Sequence, residues 1–68
     1  MSDDLSQLRR SPRDFALWGE AQRQMLGGHR KLALGNYKKL TSHYPGVAEL
    51  WYELGNVAVS ELDRKSVV

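Results

Sequence analysis

The sequence predicts an all-α fold, and three observations carry that prediction. Leu supplies ten of the 68 residues, while β-branched residues are scarce, with five Val, one Thr and no Ile; that balance favours helices over strands. Three stretches place their apolar residues at helical spacing, and the pairs Gly27-Gly28 and Pro45-Gly46 separate them. The chain has no Cys, so neither a disulfide framework nor a thiolate metal site staples it. So short a chain removes only about 60% of its unfolded surface from water. Two domains and a large enclosed active site are excluded, and stability must come from helix packing, a partner chain or both.

Residues 1–11 are read as a mobile arm, with a short helix as the alternative, because Leu5 and Leu8 stand three apart between charges, enough for a frayed turn but not for a buried helix. Ser11-Pro12-Arg13-Asp14 is a helix start: a Ser cap, a Pro whose missing N–H costs nothing in the first turn, and an acid three residues after the cap. The first helix of a domain over 12–64 then covers about 12–26. Its apolar residues, Phe15, Leu17, Trp18, Ala21, Met25 and Leu26, spread over more than one stripe and predict contacts on two sides. Gly27-Gly28 ends it and permits a tight antiparallel return. The second helix covers about 29–43, with Ala33, Tyr37, Leu40 and Tyr44 on one stripe. Gly35 inside it costs ~1 kcal/mol relative to Ala, which either a close helix approach or plain tolerance explains. Pro45-Gly46 stops it. The third helix covers about 47–63, with Val47, Leu50, Trp51, Leu54, Val57, Ala58 and Leu62 on its apolar face. Residues 65–68 have neither cap nor period and read as a frayed tail.

The net charge of +2 is distributed unevenly: Arg23, Arg30, Lys31, Lys38 and Lys39 lie between Ala21 and Ala48 with no acid, and Glu49, Glu53, Glu61 and Asp63 follow with no base among them. The plain reading is two solvated faces that attract weakly. An anionic partner for the middle, or head-to-tail association, are the sharper ones. No apolar run approaches the ~18 residues of a membrane span, and the start is acidic rather than a basic signal-peptide region. A soluble, cytoplasmic protein with no membrane partner is expected.

The second boundary is more particular: Ala33-x3-Tyr37, then Pro45, then Trp51-x2-Leu54-Gly55. This resembles the tetratricopeptide repeat, a helix-turn-helix unit of about 34 residues patterned W-x2-L-G-x2-Y, A-x3-F, P. The resemblance covers about one and a half repeats, from Asp14 to near Asp63. The sequence departs from the pattern in the first unit, where Leu17, Glu20 and Gln24 stand at the Trp, Leu and Tyr positions and Leu40 stands where a small residue is usual. The resemblance implies an antiparallel helix-turn-helix plus a third helix, packed through Ala21, Gly28, Ala33, Tyr37, Pro45, Trp51, Leu54 and Gly55. Gly55 and Ala21 are expected to let helices approach closely, so that Gly55→Leu overpacks. The family's activity is protein binding on an inner face, here Phe15, Trp18, Gln22, Met25 and Leu26 with Glu49, Tyr52, Asn56, Val59 and Ser60. Asn56 matches an Asn of the clamp that holds chaperone tails in some members, but Trp18 and Tyr52 stand where Lys would help, so carboxylate capture is not expected. A repeat needs stacked neighbours to cover its apolar face, and the third helix lacks its own second helix. Self-association as a two-fold dimer through Leu50, Trp51, Leu54, Val57 and Ala58 is therefore expected.

No catalytic constellation accompanies this pattern. His29 and His43 are ~20 Å apart along a helix, too far for one metal. Ser42-His43 lacks an orienting acid and an oxyanion element, Glu49 and Glu53 read as an exposed i, i+4 pair, and no phosphate-binding motif occurs. No enzyme activity, cofactor or metal is expected. The rival class is a small basic helix-turn-helix domain presenting His29, Arg30, Lys31 and Asn36 to nucleic acid. The acidic third helix and the apolar Leu32, Ala33, Leu34 and Tyr37 speak against it.

Overall fold

The computed structural model describes residues 3–66. It is all-helical, with no strand among the described residues: α1 (Asp4–Arg10), α2 (Pro12–Leu26), α3 (Arg30–His43) and α4 (Ala48–Ser66). α3 packs against α2 on one side and α4 on the other, and α1 lies on α2. The fold measures 44 × 22 × 14 Å, and its thin dimension is close to the ~10–12 Å width of a single helix. Every helix therefore keeps a face in water.

Local chemistry sets the boundaries. Ser11 caps α2, its Oγ accepting from the Asp14 N–H, and Pro12 occupies the first turn. At the other end the His29 N–H donates to Gln24 C=O (2.8 Å) and the Gly28 N–H to Met25 C=O (3.2 Å). This is the Schellman pattern, and it requires the positive φ of 86° that Gly28 adopts. Gly28 acts through its backbone: a side chain there would meet no atom within 4 Å. α3 ends in a turn over Tyr44-Pro45-Gly46-Val47, closed by the Val47 N–H on Tyr44 C=O. Trp51 Nε1 donates to Pro45 C=O (2.9 Å) and ties the first turn of α4 to it.

The core comprises Leu8, Trp18, Ala21, Ala33, Tyr37, Leu40, Val47, Leu50 and Val57, with Thr41 the buried polar residue, its hydroxyl donating to Lys38 C=O. Ala21 and Ala33 are fully buried where α2 meets α3, so the backbones approach closely there.

Three expectations are corrected. The stretch read as a mobile arm carries α1, with Leu8 0% exposed and the Gly46 N–H donating to Asp4 Oδ2 (2.6 Å); tertiary contacts, not local propensity, hold it. Met1 and Ser2 lie outside the described residues. Lys65 and Ser66, read as frayed tail, continue α4, and Val67 and Val68 lie outside the described residues. Gly55 is exposed and an added Cβ there meets nothing within 4 Å, so it mediates no close approach within the chain and Gly55→Leu has nothing to overpack. In dilute solution Gly55→Ala should raise stability by about 0.5–1 kcal/mol, the propensity difference in a helix interior. Urea unfolding followed by circular dichroism reads it, and a loss of stability would count against an open site.

Candidate functional site

The helices are joined at one carboxylate. Glu53 projects from α4 toward the core, between the buried Leu50 and Val57. Its Oε1 accepts from Trp18 Nε1 (3.0 Å) and Gln22 Nε2 (3.3 Å) of α2 and from the Tyr37 hydroxyl (2.7 Å) of α3. Trp18 and Gln22 reach it together because they stand i, i+4 on α2. The expectation that Glu49 and Glu53 form a solvated pair is corrected for Glu53: Glu49 is exposed, whereas Glu53 is half-buried and bonded to both α2 and α3. Its spacing from Leu50 and Val57, three before and four after, placed it on the buried face, a signal that its charge obscured.

Burial, followed by the bond to Glu53, pushes the Tyr37 hydroxyl well above its ordinary 10.0. The Tyr44 hydroxyl is also raised, first by donating to Asp14 Oδ2. The unfolded chain gives up these phenolic protons near pH 10 while the folded chain keeps them, so the unfolded state binds fewer protons and stability falls as pH rises past the ordinary Tyr value. Urea midpoints at about pH 9 and about pH 10.5 should show that fall, and Tyr37→Phe should flatten it. An equally steep slope in the variant would place the alkaline loss elsewhere.

The residues read as an inner face divide in two. On α2, Phe15 is half-exposed and meets Trp18 edge-on at 6.2 Å, Trp18 is buried, Gln22 is held by Glu53, and Met25 is partly buried. On α4, Tyr52, Asn56 and Val59 stand in water, as do Glu49 on α4 and Leu26 at the end of α2, while Ser60 is half-buried. The self-association set is also divided, and corrected: Leu50 and Val57 are 0% exposed against the chain's own core. Trp51 is half-exposed, and Leu54 and Ala58 are partly buried. A groove of about 480 Å³ between α3 and α4, lined by Lys31, Leu34, Ala58, Glu61 and Leu62, adjoins the exposed face. A wider cleft of about 710 Å³ between α2 and α3 is lined by charges of both signs, among them Asp14, Glu20 and Lys39.

His29 and His43 sit before the first and at the last residue of α3, and no three His, Cys, Asp or Glu among the described residues are grouped to hold a metal. α3, which a helix-turn-helix reading offers to nucleic acid, is the helix flanked on both sides. No helix among the described residues is long and apolar enough to cross a membrane. Comparison with family models, curated proteins and solved structures finds no match. What the site offers is a junction of α2, α3 and α4 at Glu53, with an exposed apolar face on α4.

Proposed function

We propose that the chain is a protein-interaction module of tetratricopeptide-repeat type, about one and a half repeats long, whose α4 face receives a peptide or helix of another protein. The observation that carries this reading is the outward face of α4, where Trp51, Tyr52, Val59 and Leu62 are exposed together. Single exposed apolar residues need no explanation, whereas a contiguous group on one helix marks an interaction surface.

The repeat assignment rests on the pattern of Ala33, Tyr37, Pro45, Trp51, Leu54 and Gly55, and burial at positions one repeat length apart sets α2 and α4 on opposite sides of α3. Ala21 is buried beneath α3, while Gly55, its counterpart, is open. Conversely Leu50 and Val57 are buried against α3, while their counterparts Ala16 and Arg23 are exposed. α2 thus buries the side toward the helix that follows it, and α4 the side toward the helix that precedes it, as stacked helix pairs do. A soluble, cytoplasmic setting belongs to the same reading.

Panning a random-peptide display library against the full chain tests it. Selected peptides should bind the parent, and Tyr52→Ala and Asn56→Ala should each weaken them by about 10-fold without changing the helical dichroism. A library that yields no binder, or binders indifferent to both substitutions, would remove the α4 face from recognition.

A further inference from the structure

We infer that the outward face of α4 is shaped for a second copy of itself: two chains pair through their α4 helices, antiparallel, about a two-fold axis level with residues 56–57. The inference rests on reading this face as an interaction surface and names its occupant.

The spacing is the first argument. Trp51, Gly55, Ala58 and Leu62 follow one another at intervals of four, three and four, a and d positions of a two-helix seam. Tyr52 and Val59 flank them, and no charged residue stands at these four positions. The packing of the chain leaves most of this face open: Trp51 is 50%, Tyr52 72%, Val59 57% and Leu62 63% exposed, while Ala58 is partly buried on the side toward α3. Gly55 sharpens the point. It weakens the middle of the longest helix, yet nothing lies within 4 Å of the Cβ it lacks. A backbone arriving from outside the chain is what a missing side chain there admits.

Register is the second argument. In an antiparallel pair a positions meet d positions of the other helix, and the numbers close on themselves: Trp51 meets the partner's Leu62, Gly55 the partner's Ala58, and the converse contacts follow by symmetry. Tyr52 then flanks the partner's Val59. Two small pairs allow close approach at the centre, and a large pair seals each end. A parallel pair would instead set Trp51 against the partner's Trp51 and align the two helix dipoles unfavourably.

Area is the third. With aromatic side chains burying 150–250 Å² each, the four exposed residues offer roughly 450 Å² a side, or roughly 900 Å² in total before any rim. That lies below the ~1,200–2,000 Å² of stable specific interfaces, so the dimer is a weak, reversible one.

Sedimentation equilibrium of the full chain from ~1 to ~500 µM tests this. The parent should move from 7.7 kDa toward twice that mass. Trp51→Glu and Leu62→Lys should each weaken the dimer by at least about 100-fold with helical dichroism retained. An equimolar mixture of the two variants sets the new Glu opposite the new Lys at one end and keeps Trp51 on Leu62 at the other only in the antiparallel register, and should pair at least about 10-fold more tightly than either variant does with itself. A parent monomeric at every concentration would overturn the second copy as occupant, and peptide binding lost in Tyr52→Ala would then leave the interaction face standing. A dimer that ignores both single substitutions would overturn the seam, and a mixture that pairs no more tightly than the single variants would overturn the register.

Discussion

Glu53→Ala should remove about 3–5 kcal/mol of stability, a large part of what a chain of this size carries. Bonds to a charged acceptor contribute about 1.5–3 kcal/mol each, and a buried donor stripped of its acceptor costs about 1–3 kcal/mol. Alanine at this position removes three such bonds and strands two buried donors, Trp18 Nε1 and the Tyr37 hydroxyl. Gln22 is exposed and recovers water. The losses share one oxygen and do not add, so about 3–5 kcal/mol is the expected total. Domains carry about 0.05–0.15 kcal/mol of stability per residue, which for a chain of this size is about 3–10 kcal/mol. Glu53→Gln keeps an acceptor oxygen in place and should cost only about 1–2 kcal/mol. Urea unfolding of the two variants separates them: an alanine variant within about 1 kcal/mol of the parent would mean that the carboxylate does not hold the helices together.

Much of the chain's organisation was legible because it is written in local chemistry. A Ser cap followed by Pro starts α2, a Gly pair forces the reversal after it, and Pro-Gly ends α3; each acts within a few residues and needs no knowledge of the rest of the fold. The buried Ala33, Tyr37 and Leu40 were legible for the same reason, as one face of a regular helix. What escaped has its cause in tertiary placement. Gly55 is identical in sequence terms whether a neighbouring helix of the same chain or open space lies over it, and only the path of α3 decides. Glu53 shares the buried face with Leu50 and Val57, but its charge argued for solvent until Trp18, Gln22 and Tyr37 were seen to converge on it. Trp51 matched the repeat pattern as a packing residue, yet it lies over the α3–α4 turn, half in water.

The same distinction governs α1, where the second large effect is expected: Leu8→Ala should destabilise the fold by about 3 kcal/mol, within the 2–5 kcal/mol range for a fully buried Leu. Seven residues are too few to hold a helix in water, since isolated helices below about 12 residues are marginal at best. α1 therefore exists only through what it touches. Leu8 anchors its C-terminal half beside α2, and Asp4 anchors its first turn by accepting from the Gly46 N–H in the turn between α3 and α4. The two anchors differ in kind. Leu8 removes apolar surface from water, while the Asp4 contact is exposed and is worth about 1 kcal/mol at most. Asp4→Ala should therefore fray the first turn of α1 and spare the rest, whereas Leu8→Ala should release the whole helix. Hydrogen exchange distinguishes the two outcomes at the Gln7 N–H, which donates to Asp3 C=O (3.0 Å), and at the Ser11 N–H, which donates to Leu8 C=O (3.2 Å). In Asp4→Ala protection should fall at Gln7 and persist at Ser11; in Leu8→Ala it should fall at both. If both amides exchange freely in the parent chain, residues 4–10 are the mobile arm that their local sequence suggests, and the loss on Leu8→Ala should shrink below about 0.5 kcal/mol.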